Sequence, residues 1–250
     1  MTERLDQALV TAGLARSRSQ ASELIKSGRV QVNGQVATRP AYRTVPSDAI
    51  DCQTDPWVSR AAHKLIGALD ASGLQVPVRA LDAGASTGGF TQVLLSRGAE
   101  IVYSVDVGHD QLAPAVRTDP RVQVREGLNL RDLVLADLDG EPVDLVVADV
   151  SFISLRMLLE PLFAVLKPAG QAMLMIKPQF EVGRERLGAG GVVRSQTDRL
   201  LAIDGVVDDA ARLGWVPVWR ADSQLAGPAG NLEHFVCFAR GTQRSSDVQQ

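Results

Sequence analysis

Between residues 4 and 28 the apolar positions Leu5, Leu9, Leu14, Ala21, Leu24 and Ile25 recur at spacings that predict two short amphipathic helices, broken near Gly13. Ser17 or Ser19 stands where its hydroxyl can cap the second helix. After Gly28 the period changes to two. Val30, Val32 and Val36 surround Asn33-Gly34, a dipeptide favoured in tight hairpins because both residues tolerate a positive φ. Residues 37 to 57, rich in Pro, Thr, Ser and Asp, show no helical period and read as the end of this module plus a linker through Pro56-Trp57-Val58. Arg60 to Ser72 predicts a further helix with Leu65, Ile66 and Leu69 on one side.

From residue 78 onward the pattern is different. Apolar runs at 79–83, 101–107, 122–125, 143–150, 172–176, 216–221 and 235–238 alternate with helical stretches. Strands alternating with helices imply βαβ units, and hence an α/β fold with a doubly wound, mostly parallel seven-stranded sheet. Ligands of such sheets lie beyond the carboxyl ends of the strands. The expected organisation is a small α+β module over residues 1–55, a linker over 56–62, a large domain over 63–240 and a flexible tail over 241–250.

Charge changes this picture in one respect. The chain as a whole carries a net charge of −3, which points to no polyanion. Residues 1 to 46, however, hold seven Lys and Arg (Arg4, Arg16, Arg18, Lys26, Arg29, Arg39, Arg43) against the acids Glu3, Asp6 and Glu23. A basic first module on an acidic remainder predicts a polyanionic partner for that module. The two cysteines, Cys52 and Cys237, stand far apart and outside any CxxC spacing, which argues against a disulfide framework or zinc site and fits a reducing cytoplasm. No apolar run approaches the roughly 18 residues of a membrane helix, and no signal-peptide h-region is present.

The strongest local motif is the apolar strand Ala80-Leu81-Asp82-Ala83 running into Gly84-Ala85-Ser86-Thr87-Gly88-Gly89-Phe90, with a helix starting near Thr91. Glycine there lets backbone lie against a ligand without a Cβ clash. The next strand ends in Asp106, a carboxylate placed to accept from both ribose hydroxyls of a nucleoside. NAD would satisfy the same logic, but the G-x-G-x-x-G order is missing, and Asp82 precedes the first glycine. A carboxylate suits the cationic methionyl end of S-adenosylmethionine and repels a pyrophosphate. The bland alternative is a tight strand-to-helix turn with no ligand.

Two other strands end in charge: Val143 to Val147 leads to Ala148-Asp149, and Met173 to Ile176 leads to Lys177. Buried charges demand partners, so Asp149 beside Lys177 is expected, either as a structural ion pair or as chemistry. Removing a proton from a hydroxyl at neutral pH needs a tuned base, and a lysine reaches that range when desolvated or held near other cations. Lys64 is a candidate neighbour, and Glu233 a candidate orienter of a lysine ammonium. Taken singly, both are more often solvated surface charges.

Taken together, these residues identify a family resemblance. Arg4-Leu5-Asp6, Gly13 to Ala21 and Gly28 to Gly34 resemble an alpha-L RNA-binding motif. Val58-Ser59-Arg60, His63-Lys64-Leu65, Asp82 to Thr91, Asp149 to Ser154, Ile176 to Glu181 and Gly227 to Glu233 resemble an FtsJ-like 2'-O-methyltransferase domain. The whole is similar to the TlyA-type rRNA methyltransferases, a family that has also carried a haemolysin label, from about Arg4 to Arg240. The resemblance implies a Rossmann-like class I methyltransferase fold and a Lys-Asp-Lys-Glu tetrad at Lys64, Asp149, Lys177 and Glu233. It implies transfer from S-adenosylmethionine to a cytidine 2'-hydroxyl of 16S and sometimes 23S ribosomal RNA. The expected cofactor set is Asp82, Gly84, Ala85, Ser86, Thr87, Gly88, Gly89, Phe90, Asp106, Asn129 and Asp149. One departure stands out: Ala61-Ala62 occupies the place where Gly-Gly is common before the lysine.

The expected RNA contacts are Arg4, Arg16, Arg18, Lys26, Arg29 and Arg60, meeting phosphates through charge and counterion release. With Tyr42 the sole aromatic of the module, recognition of folded RNA by shape is expected over single-strand stacking. Ribosomal subunits are the expected partner; no metal, membrane or stable protein partner is implied, and a monomer is favoured. The competing classes are a membrane-damaging haemolysin and a noncatalytic RNA-binding or assembly factor.

Overall fold

Ser17 caps the second N-terminal helix, its Oγ accepting from the Gln20 backbone N–H at 3.3 Å. The computed structural model describes residues 2–15, 17–53 and 55–241. The chain divides into two compact units, residues 1–56 and 57–250. In the first, helices α1 (Leu5–Thr11) and α2 (Arg18–Lys26) bury Leu5, Leu9, Ala21, Leu24 and Ile25 against Val30 and Val32. Strand β1 (Glu3–Arg4) precedes α1, and β2 (Val30–Val32) and β3 (Gln35–Val36) form the expected hairpin, with Asn33 at φ 53 and Gly34 at φ 78. Two strands lack a signal in the alternation pattern. β4 (Arg43–Thr44) pairs with β1, and β5 (Ile50–Cys52) adds to the open edge of β2.

The second unit carries a seven-stranded sheet. Its strands are β6 (Arg79–Ala83), β7 (Ile101–Asp106), β8 (Val122–Glu126), β9 (Val143–Ala148), β10 (Leu166–Ile176), β11 (Trp215–Asp222) and β12 (His234–Arg240). They lie in the order β11-β12-β10-β9-β6-β7-β8, with β12 antiparallel to both its neighbours and the other pairs parallel. Helices cover both faces, so β6 is buried at every position and the inner part of β9, Leu145 to Ala148, reads as an unbroken apolar run and not as alternation. Helices α3 (Ala61–Ser72) and α4 (Gly89–Ser96) bury Ala62, Leu65, Phe90 and Leu94 on one face. After the short α5 (Pro114–Arg117), helices α6 (Leu159–Ala164) and α7 (Gln196–Arg212) bury Leu159, Leu162, Ile203 and Val206 on the other. Trp57 and Val58 pack against the α3–α4 face.

From β6 the chain winds outward to β7 and β8, then returns to β9 on the opposite side of β6. Strand order therefore reverses between β6 and β9, and a ligand crevice opens at such a point.

Candidate functional site

Four neighbouring strands end at that crevice. Ala83 pairs with Ala148, Ala148 with Leu174, and Ile176 with His234. Each outward step then reaches a residue singled out by the sequence: Gly84 after β6, Asp149 after β9, Lys177 after β10 and Glu233 ahead of β12.

Gly84 has φ +84, and a Cβ there would lie 3.0 Å from the Asp149 carbonyl oxygen. Glycine is therefore what lets the two strand ends close on one another. Gly89 is equally confined, since an added Cβ would collide with Ser59 Oγ. Ser86 takes a left-handed φ of 47 and donates its N–H to Asp106 Oδ2 at 2.8 Å, while Gly108 N–H donates to Oδ1 at 2.8 Å. Asp106 is thus held from both sides at the strand end, with lone pairs left for further donors.

Two adjoining recesses flank this turn. The larger, about 510 Å³, is lined by Gly84, Ser86, Asp106, Asn129, Asp149 and Ser151 together with apolar Val107, Leu128, Phe152 and Ile153. The smaller, about 200 Å³, is lined by Ser59, Gly84 to Thr87, Gly89, Phe90, Asp149, Ser151 and Lys177. Gly84, Ser86, Asp149 and Ser151 form the wall between them. Of the expected cofactor set, Gly88 lines neither; it opens α4 with φ 91.

Lys177 Nζ lies 2.6 Å from Asp149 Oδ1 and donates to Ser151 Oγ at 2.7 Å. Lys64 Nζ donates to Glu233 Oε2 at 2.5 Å, with side chains 8% and 1% exposed, so a pair that looks like surface charge in sequence is buried. Lys64 comes from α3, on the face that also buries Leu65 and Ala68. Gly227 gives Glu233 its space, since a Cβ there would stand 2.7 Å from Oε1. The structure therefore joins the four as two ion pairs, Lys177–Asp149 between the ends of β10 and β9, and Lys64–Glu233 between α3 and the start of β12.

Asp82 is placed differently from the expectation that it faces the cofactor. It is fully buried, lines neither recess and accepts from Thr91 Oγ1 at 2.6 Å; Thr91 in turn lies 2.7 Å from Ser104 Oγ. Burial pushes its carboxyl up to about 7, against the opposing hydrogen bond from Thr91. The residue anchors α4 to the sheet beneath the glycine turn. Ser151, Phe152 and Glu181 are site features with no individual signal in the sequence, although all lie within segments that carry the family resemblance.

In the first unit, Arg4 and Arg18 both pair with Asp6, at 2.9 and 3.1 Å. The hydrogen bond from Arg4, then that from Arg18, hold the buried Asp6 carboxyl down at about 2. Both guanidinium groups remain partly exposed, and Lys26, Arg29 and Arg60 are exposed. Arg16 and residues 242–250 lie outside the described residues. Among the described residues no cluster of His, Cys, Asp and Glu is arranged to hold a metal, and no helix is long and apolar enough to cross a membrane.

The reversed parallel sheet with its glycine turn is the frame of a methyltransferase domain: residues 57–240 match the FtsJ-like methyltransferase model, and residues 3–50 match the S4 domain. The chain belongs to the TlyA-type family of FtsJ-like methyltransferases. It is 47% identical over 246 residues to the 16S/23S rRNA (cytidine-2'-O)-methyltransferase TlyA of Mycobacterium tuberculosis, covering 97% of this chain and 91% of that one. Among solved structures, a hemolysin-named protein from Streptococcus thermophilus superposes with a TM-score of 0.75 at 34% identity, covering 96% of this chain and 89% of that one. An S-adenosylmethionine-dependent methyltransferase from Listeria monocytogenes, 15% identical, has a TM-score of 0.54 over 72% of this chain and 99% of its own, a likeness of fold alone.

Proposed function

We propose that this protein transfers a methyl group from S-adenosylmethionine to the 2'-hydroxyl of a cytidine in structured ribosomal RNA, acting on ribosomal subunits in the cytoplasm. The observation that carries the reading is the Lys177–Asp149 pair at the glycine turn, Asp149 in the wall shared by the two recesses and Lys177 on the smaller one. The M. tuberculosis relative's name supplies the substrate, 16S and 23S rRNA cytidine.

The residues fit the cofactor. Asp106, pinned by Ser86 and Gly108, is placed for ribose hydroxyls, and the apolar side of the larger recess suits an adenine ring. Asn129, in the same wall, offers a polar side chain beside it. When bound, S-adenosylmethionine supplies a methyl carbon already activated by a sulfonium. Lys177 is the base for the 2'-hydroxyl proton, taking it on Nζ, and Asp149 Oδ1, 2.6 Å away, orients that nitrogen and pairs with the ammonium that forms. Ser151 keeps Nζ aimed at the wall, and the Lys64–Glu233 pair fixes the adjoining strand end. Holding acceptor and donor in register supplies much of the acceleration. Phe152, 92% exposed at the rim, presents a face on which a nucleobase lifted from its stack can rest. The S4 domain, with Arg4, Arg16, Arg18, Lys26 and Arg29, grips the phosphates, joined by Arg60.

The test is methylation of ribosomal subunits from cells lacking such an enzyme, followed by mapping of ribose methylation. A new 2'-O-methylcytidine supports the reading. Methyl transfer to a base, or none from active protein, overturns it.

A further inference from the structure

Glu181 lies just past the site and takes no part in the proton transfer. Its two oxygens both go to one loop: Oε2 accepts from Ser154 Oγ at 2.6 Å and Oε1 from Leu155 N–H at 2.7 Å. A tight turn over Pro178–Phe180, closed by Phe180 N–H to Lys177 O at 2.9 Å and Glu181 N–H to Pro178 O at 3.0 Å, fixes its distance from Lys177. The loops after β9 and β10 are therefore tied at two places, by Lys177 to Asp149 and Ser151 and by Glu181 to Ser154 and Leu155, with the Phe152 and Phe180 ring centroids 5.4 Å apart between them.

Between the two ties sits Phe152, at φ 66. A left-handed conformation is costly for a bulky residue and persists only where the surroundings over-determine it. Ser151, Phe152 and Ile153 all line the larger recess, so the strained segment is the one that shapes the site. Burial pushes the Glu181 carboxyl above its ordinary range, against the hydrogen bonds from Ser154 and Leu155. What the position supplies to the loop is a pair of hydrogen-bonding atoms set at a fixed spacing, one at Ser154 and one at Leu155.

We propose that Glu181 is a positioning residue, holding loop 151–155 so that Ser151 stays on Lys177 and Phe152 stays at the rim. The inference rests on the methyl-transfer reading and deepens it. It predicts that geometry, and not charge, is what matters. In Glu181→Gln the amide oxygen can accept from Leu155 N–H while its NH2 donates to the Ser154 hydroxyl, so both ties survive.

The experiment compares full-length Glu181→Ala, Glu181→Gln and Ser154→Ala for kcat and KM, for S-adenosylhomocysteine affinity, for melting temperature, and for exchange of the Leu155 amide. Glu181→Ala should lower kcat by about tenfold or more at saturating substrates, once corrected for folded fraction, because misplacement near the chemistry acts on the turnover step. The Leu155 amide should exchange faster in the same variant. Glu181→Gln should stay within about threefold of the parent, and Ser154→Ala, which folds with one tie intact, should fall between them. An unchanged kcat in Glu181→Ala, or a Glu181→Gln as impaired as Glu181→Ala, overturns the proposal. Should Glu181→Ala not fold, Ser154→Ala at full kcat overturns it. Should the parent protein methylate no RNA, the functional reading fails, while Leu155 exchange and S-adenosylhomocysteine affinity still decide whether Glu181 orders the loop.

Discussion

Replacing Gly84 with alanine tests the closure of the glycine turn on the strand beside it. The substitution meets two separate costs. A left-handed φ of +84 is unfavourable for alanine by about 1–2 kcal/mol. The new methyl would also stand 3.0 Å from the Asp149 carbonyl oxygen and 3.2 Å from Val150 Cγ1. The preceding peptide is held to β6 by Asp149 N–H to Ala83 O at 3.1 Å, so making room displaces the backbone at a further cost of about 1–3 kcal/mol. The sum, about 2–5 kcal/mol, corresponds to a melting temperature lowered by roughly 5–15 °C for a unit of this size. The displaced wall carries Asp149, so S-adenosylmethionine affinity should fall by about tenfold or more. Gly140→Ala is the control, because Gly140 has φ +80 with nothing within 4 Å of an added Cβ and should show only the conformational cost. Scanning calorimetry and titration calorimetry read the two effects. A Gly84→Ala protein no less stable than Gly140→Ala, with parental cofactor affinity, would refute the reasoning.

Asp82 holds its proton up to about 7 when folded but releases it near 3.8 when unfolded, so its contribution to stability falls as pH rises through that window. In Asp82→Asn the melting temperature of the large unit should vary less between pH 5 and 8 than in the parent; identical pH profiles would contradict the burial argument. Phe152→Ala should raise KM for the RNA, or lower kcat, by about tenfold, the loss of one base–aromatic stack, read by steady-state methylation of ribosomal subunits; parental kinetics would contradict that role. Arg18→Glu should weaken RNA binding and reduce the slope of log affinity against log salt by about 1 for each phosphate no longer neutralised, read by filter binding at several salt concentrations.

Much of the large unit was legible because a parallel sheet covered on both faces is written in short, mostly apolar runs without alternation, as at 79–83 and 143–148. Strand-end placement then made the meeting of Asp106, Asp149 and Lys177 at one edge of the sheet readable from the sequence. The hairpin at Asn33-Gly34 was readable because its turn chemistry is local. β4 and β5 were not: two and three residues long, they exist through partners on β1 and β2 that lie far back in the sequence. The same non-locality hid the ties of Lys177 to Ser151 and of Glu181 to Ser154, which join separate loops. Asp82 is the converse case. Its position beside the glycine turn suggested the ligand, but on a strand buried on both faces its side chain points into the protein, to Thr91.

The central claim is that the Lys177–Asp149 pair acts in proton removal and not merely in holding the pocket together. The most direct measurement is single-turnover methyl transfer by Lys177→Ala to ribosomal subunits at saturating S-adenosylmethionine, with cofactor affinity measured on the same protein. Proton removal by Lys177 predicts a rate lower by about 10²-fold or more, as for loss of a general base, with affinity within a few-fold of the parent. A near-parental rate, or a loss fully explained by weaker cofactor binding, would contradict it.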